Sequence, residues 1–294
     1  MSATKQTRPV PAGGYHGTVD TVISVDEVAR EARAIARDVP VAQLDVLAGP
    51  DPALRIDALH AGYGQLEVLH GFNLRVGRGQ SLCLIGPNGA GKSTVLHSIF
   101  GFTTIYSGAI VVHQGRGGGG LDVTRFSSNE KLRSAGIAYI LQDKSVFPNM
   151  TVEENLWMGA FLMQRPADAK RAAEAVFERY PRLAARRGHP AKVLSGGERR
   201  LLEISRALVM DPKVLLVDEP SIGLEPRFID MVFEILGDLQ HKDGKTIVMV
   251  EQNAKKGLEF ADIGYVLVSG ELAVAGKAKE LLADPDVGRL FLGG

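Results

Sequence analysis

A chain of 294 residues is long enough for one large or two small domains with an ample core. Its 34 Lys and Arg balance its 34 Asp and Glu, so the net charge is zero and gives no electrostatic case for nucleic acid or an acidic membrane surface. The single cysteine, Cys83, excludes an intrachain disulfide and fits a reducing compartment; no apolar run approaches the ~20 residues of a membrane span, and the N-terminus lacks the apolar core of a signal peptide.

Residues 1–20 are rich in Gly, Pro, Ser and Thr, show no periodicity and read as disordered. "SVDEVAREARAIARDVP" follows as one amphipathic helix. Ser24 and Glu27 form its capping-box pattern, Val25, Val28, Ala32 and Ile35 form its apolar stripe, and Pro40 marks its stop. Residues 1–53 are thus expected to form an N-terminal extension to a domain over 54–294. From Leu54 the texture changes: "SLCLI", "IAYIL", "VLLV" and "TIVMV" are short β-rich runs, with helical stretches such as 93–100 and 199–210 between them. That alternation predicts an α/β fold with a largely parallel sheet, in which Cys83 is a buried small hydrophobe. "GRGGGG", residues 115–120, looks like a phosphate loop but lacks a following Lys-Ser/Thr. Strand-like "AIVV" and "LDV" flank it, so it is expected to be a flexible hairpin loop. Residues 151–193 are mostly helical, open on a second capping box (Thr151 and Glu154) and read as an inserted helical subdomain.

"GPNGAGKST" comprises Gly86, Pro87, Asn88, Gly89, Ala90, Gly91, Lys92, Ser93 and Thr94 and fits G-x-x-x-x-G-K-[ST]. Its glycines let backbone N–H groups curl toward phosphate oxygens, and the following helix adds its positive end. Lys92 is expected on the β- and γ-phosphates of ATP and the Ser93 hydroxyl on Mg²⁺. "VLLVDEP" is a second apolar strand ending in carboxylates. Asp218 is the metal-side candidate and Glu219 the candidate general base, since neighbouring side chains on a strand end diverge. "LSGGERRLLEISRAL" places Ser195, Gly196 and Gly197 at a helix start, either as a further anion site or as a loop into an ordinary core helix. "TIVMVEQN" delivers Glu251, Gln252 and Asn253 at a strand end with no histidine, serine or cysteine among them.

The ordered combination of P-loop, "LSGG" and a strand ending in Asp-Glu resembles the ABC ATPase family. The resemblance implies a RecA-like P-loop core with an antiparallel β subdomain and an inserted α-helical subdomain. It also implies that two ATPs are sandwiched between two such domains, so that this chain supplies half of two composite sites. Ser195, Gly196 and Gly197 would then contact the γ-phosphate bound by a partner. Tyr63, in "GYGQLEVLHGFNL", matches the adenine-stacking aromatic, and Gln142, in "AYILQDKSVFPNMTVEENL", matches the glutamine that links Mg²⁺ and water to the transport partner. Three departures stand out: Leu141 replaces the usual proline before Gln142, Glu225 replaces the aspartate of the D-loop, and Gln252 stands where most members carry a histidine at the γ-phosphate. Glutamine can donate to a phosphate oxygen but cannot become cationic.

"FPNMTVEENLWMG", "LSGGERR", "DEPSIGLEP", "VEQNAKKGLEFADIGYVLVSG" and the terminal "LGG" are similar to the LivF-type ATP-binding subunit of branched-chain amino-acid importers. That likeness implies a second ATPase subunit (a copy or a sister chain), two membrane permeases and an external solute-binding protein, with this chain peripheral on the cytoplasmic face of the membrane. A urea or amide importer is an alternative. A soluble ABC ATPase acting on nucleic acid or ribosomes is another, against which stand the single cassette, the missing coiled-coil insert and the absence of a basic excess.

Overall fold

The computed structural model describes residues 39–113, 115, 119–142 and 145–291. The expected disordered tail, the helix expected up to Pro40 and the terminal "LGG" lie outside them, Pro40 itself excepted. Among the described residues the strands are β1 (Pro52–Tyr63), β2 (Leu66–Gly77), β3 (Ser81–Ile85), β4 (Thr104–His113), β5 (Gly120–Asp122), β6 (Ile137–Ile140), β7 (Val214–Asp218), β8 (Thr246–Val250), β9 (Ile263–Val268) and β10 (Glu271–Lys277).

They form two sheets. One is six-stranded in the order β10-β9-β3-β8-β7-β6, parallel throughout except for the antiparallel edge strand β10. Every residue of β3, β7, β8 and β9 is buried. A sheet covered on both faces asks for continuous apolar runs rather than alternation, and those runs make these strands visible in the sequence. The other sheet is antiparallel, in the order β2-β1-β4-β5. Its β4 and β5 flank the glycine-rich stretch and pair as a hairpin, with Val111 opposite Asp122.

The helix Lys92–Phe100 lies in the core between the sheets, where Val95, Leu96 and Ile99 pack with Ile56, Phe72, Leu84 and Val248. On the opposite face of the parallel sheet, Val232, Leu236 and Leu239 of the helix Pro226–His241 pack on Leu215, Val217 and Met249. A third core joins the helices Val152–Gly159, Pro166–Arg179 and Gly196–Leu208 through Leu156, Phe177, Leu201 and Leu202. Thr151 caps the first of these: its hydroxyl accepts from the Glu154 N–H at 3.1 Å while the Glu154 carboxylate accepts the Thr151 N–H at 2.7 Å.

Pro40 is expected as the stop of a helix whose residues lie outside the described ones; within them it precedes another. It is the N-cap of the helix Val41–Ala48, a terminus where its missing N–H costs nothing. That helix belongs to the packed body: Leu44 is fully buried, Asp45 pairs with Arg75 at 2.9 Å, and Gln43 donates to the Ala275 carbonyl at 2.8 Å.

Lys131 is buried on the helix Ser128–Arg133, its ammonium donating to the Ser98 carbonyl at 3.1 Å. Burial pushes its pKa down to about 8. An unfolded-chain lysine titrates near ~10.4, so between those values the unfolded chain holds a proton that the fold has released. The stability contributed at this position therefore rises with pH through that window. Lys131→Met should flatten the rise, measured as urea midpoints at about pH 7.5 and about pH 9.5. An undiminished rise in the variant would contradict the assignment.

Candidate functional site

The loop after β3 carries the first half of the site. Gly86 has φ 144°, and a Cβ there would sit 2.2 Å from the Leu267 carbonyl oxygen, so no other residue fits. Ala90 ties the loop at two points: its N–H donates to the Pro87 carbonyl at 3.1 Å, and its own carbonyl accepts the Gly270 N–H at 2.9 Å. Lys92 opens the following helix and turns back over the loop, its ammonium donating to the carbonyls of Gly86 at 2.8 Å and Pro87 at 3.0 Å. Burial pulls its pKa below the usual lysine value, while the charges of Glu219 and Asp218 oppose that drop.

The end of β7 supplies the second half. The Ser93 hydroxyl donates to Asp218 Oδ1 at 3.3 Å, and the Tyr139 hydroxyl donates to Oδ2 at 2.7 Å. Gln142 Nε2 donates to Glu219 Oε2 at 2.9 Å. Glu219 itself has φ 42°, a left-handed conformation rarely adopted by a glutamate, held by its N–H bond to the Val250 carbonyl at 2.8 Å. Burial first, then the neighbouring Asp218 charge, raise the Glu219 pKa above the ordinary carboxylate range; Lys92 works against them. Lys92, Ser93, Gln142, Asp218 and Glu219 thus gather outside the carboxyl ends of parallel strands, the usual place for ligands in such sheets. The oxygens of Ser93, Asp218 and the Gln142 amide form a hard donor set that suits Mg²⁺.

Tyr63 ends β1 and is 43% exposed. Its hydroxyl meets His97 Nδ1, and the two rings lie edge to face at 6.1 Å, so it stands beside the helix that the phosphate loop opens. Ser195 caps the helix Gly196–Leu208: its hydroxyl accepts the Glu198 N–H at 3.2 Å, and the Glu198 carboxylate accepts the Ser195 N–H at 2.9 Å. Gly196 is exposed. Gly197 is buried, and a Cβ there would lie 2.3 Å from a Phe228 ring carbon, which gives that glycine a packing reason within its own chain. The signature is not brought to the phosphate loop: Gly196 lines a cavity of about 750 Å³ together with Gln142, Arg200 and Leu224, and no residue of 86–94 lines it.

The three polar residues after β8 divide their work. Glu251 is buried and accepts from the Ser221 hydroxyl at 2.7 Å and the Asn253 N–H at 3.0 Å. Asn253 caps the helix Ala254–Phe260 through the Lys256 N–H at 3.0 Å. Gln252 is exposed between them, on the loop that follows the pairing of Val250 with Asp218. Gln252→Ala should slow ATP turnover more than it weakens ATP binding, tested by comparing kcat with the nucleotide Kd. Equal losses in both would argue against a role at the γ-phosphate.

Two contributors escape a motif reading. Tyr139 holds Asp218 from a strand whose apolar pattern says only "buried". Arg200, 4% exposed, donates to the Leu141 carbonyl at 2.7 Å, the Gln142 carbonyl at 3.3 Å and Glu203 at 2.9 Å, fastening the signature helix to the segment that carries Gln142. The available signal is a charged i,i+3 pair, Arg200 and Glu203, beside the stripe formed by Leu201 and Ile204.

Comparison with known proteins places this geometry. The family model described as ABC transporter matches residues 69–222. The chain is 37% identical over 240 residues to the probable branched-chain amino acid transport ATP-binding protein LivF of Archaeoglobus fulgidus, covering 82% of this chain and 98% of that one. It is 39% identical over 241 residues to the high-affinity branched-chain amino acid transport ATP-binding protein BraG of Pseudomonas aeruginosa, covering 82% of this chain and all of that one. Among solved structures, the ADP conformation of MJ1267, an ATP-binding cassette of an ABC transporter, superposes with a TM-score of 0.70 at 28% identity, covering 83% of this chain and 100% of that one.

Proposed function

The chain belongs to the ABC transporter family as one of its ATP-hydrolysing members, and from that membership we propose that it drives an importer for branched-chain or related amino acids. The observation that carries the mechanism is the convergence of Lys92, Ser93, Asp218, Gln142 and Glu219. In this reading Lys92 exchanges the Gly86 and Pro87 carbonyls for phosphate oxygens of ATP, a change from neutral to charge-assisted hydrogen bonds. Ser93, Asp218 and Gln142 would hold Mg²⁺, which when bound supplies positive charge against the phosphate oxygens. Glu219 accepts the proton of the attacking water, oriented by Gln142, and Tyr63 stacks on the adenine. Ser195, Gly196 and Gly197 complete the site of a second ATPase subunit, a copy or a sister chain.

A groove between the core and the helical block supports a membrane partner. It is lined by Tyr139, Phe147, Met158, Phe161 and Arg206, and Phe161 is 76% exposed and Phe147 43% exposed at its rim. In this reading two permeases dock there, with a solute-binding protein on the far side of the membrane, and closure of the ATPase pair on ATP switches the permeases. Among the described residues no helix is long and apolar enough to cross a membrane.

The test is reconstitution. A permease pair co-purified with the chain, placed in proteoliposomes with its solute-binding protein, should hydrolyse ATP faster when leucine is supplied. Stimulation by urea or a short amide alone would move the solute to the alternative importer. Turnover stimulated by nucleic acid with no permease present would overturn the importer reading.

A further inference from the structure

Two histidines and a glutamate converge on the β1–β2 hairpin, outside the cluster around Lys92. His60 Nδ1 lies 2.6 Å from Glu67 Oε1, and His70 Nδ1 lies 3.1 Å from the same oxygen. In a regular strand, residues three apart face opposite sides, so Glu67 and His70 should diverge. Here the register breaks twice. Phe72 pairs with Leu59, Leu69 with Ala61 and Glu67 with Gly62, so β2 carries extra residues on both sides of Leu69. Gly71, at φ 65°, takes up one of these irregularities in a conformation that favours glycine. The outcome turns Glu67 and His70 to one side, where His60 meets them from β1.

The backbone of this turn is held from outside the hairpin. The His70 N–H donates to the Gly270 carbonyl at 3.1 Å, and Gly270 approaches so closely that a Cβ on it would lie 1.8 Å from the Val68 carbonyl oxygen. The side chains remain adjustable, with exposures of 40% for His60, 38% for Glu67 and 43% for His70.

We propose that His60, Glu67 and His70 form a binding site for a divalent transition-metal ion of the zinc class, clamping β1 to β2 next to the tip that carries Tyr63. Two imidazoles and one carboxylate are the donor set of such ions, whereas Mg²⁺ and Ca²⁺ select all-oxygen sites. One ligand atom from each residue already lies within 4.8 Å of the other two. A tetrahedral ion with bonds of ~2.0–2.1 Å needs its ligand atoms roughly 3.3 Å apart, within reach of small side-chain rotations. The open side leaves room for water as the fourth ligand.

The experiment uses the full chain without a polyhistidine tag and without nucleotide, in excess Mg²⁺ to occupy oxygen-only sites. Zn²⁺ is titrated in competition with a chromophoric chelator. The wild type should take up one Zn²⁺ per chain, and H60Q/H70Q should bind it at least about 100-fold more weakly, since even loss of an outer-shell partner costs up to that much. Glutamine can still donate to Glu67, so the hairpin keeps its hydrogen bonds in the variant, and unchanged ATP binding would verify the fold. With Co²⁺, the wild type should show the visible absorption of a tetrahedral site and the variant should not. Equal Zn²⁺ uptake by both proteins, or none by the wild type, would overturn the proposal.

Discussion

Glu219→Gln should bind ATP normally and hydrolyse it about 10²- to 10⁴-fold more slowly, the contribution of a positioned general base. Glutamine is close to isosteric with glutamate, and its carbonyl can still accept the Gln142 Nε2 hydrogen that reaches Glu219 at 2.9 Å. What it cannot do is accept the proton of an attacking water. The left-handed backbone at φ 42° belongs to the position and not to the carboxylate, so the variant inherits the same constraint. The pKa supplies a second readout. Burial and the Asp218 charge raise the Glu219 value above its ordinary 4.5, so wild-type turnover should fall as pH drops through a value above that range, where the base becomes protonated. Single-turnover rates across pH measure both effects. The variant should lose this acid limb along with its rate; unchanged turnover would remove Glu219 from the role of base.

The phosphate loop and the Asp218–Glu219 pair were legible in the sequence because their chemistry needs neighbours in the chain. A loop that wraps phosphate with successive N–H groups, and a strand end that presents two carboxylates, are local by construction. The parallel strands were legible for a different reason, since burial on both faces writes an unbroken apolar run. What could not be read depends on contacts between distant segments. Tyr139 reaches Asp218 from 79 residues away, and Arg200 reaches Leu141 from 59 residues away. The convergence of His60, Glu67 and His70 hangs on changes of register on both sides of Leu69 that no periodicity announces. Gly197 is instructive in another way. Its membership of "LSGG" was evident, but its closeness to Phe228 shows that the helix Pro226–His241 also demands a glycine there.

Lys92→Ala should weaken ATP binding by roughly 30-fold to several-thousand-fold, the range that follows from removing one partner of a buried, hydrogen-bonded charge pair. Lys92 is 8% exposed, and its ammonium spans the carbonyls of Gly86 and Pro87. Those carbonyls are neutral acceptors, while the carboxylates Asp218 and Glu219 lie near enough to oppose the fall in its pKa. A cation placed this way is already partly desolvated, so phosphate oxygens gain a full charge-assisted contact while little further desolvation remains to be met. Alanine removes that contact and also leaves the two carbonyls facing bound phosphate with no cation between them. The effect separates from any loss of fold through ligand-induced stabilisation, because a ligand raises the melting midpoint only if the native state binds it. The wild type should melt higher with ATP present, and Lys92→Ala should show a markedly smaller ATP-induced rise at the same ATP concentration, each measured against its own nucleotide-free midpoint. Lys92→Arg keeps the charge but replaces a compact ammonium with a planar fork, so it should recover only part of the affinity. An ATP-induced shift in Lys92→Ala equal to that of the wild type would mean that this lysine does not hold the phosphates.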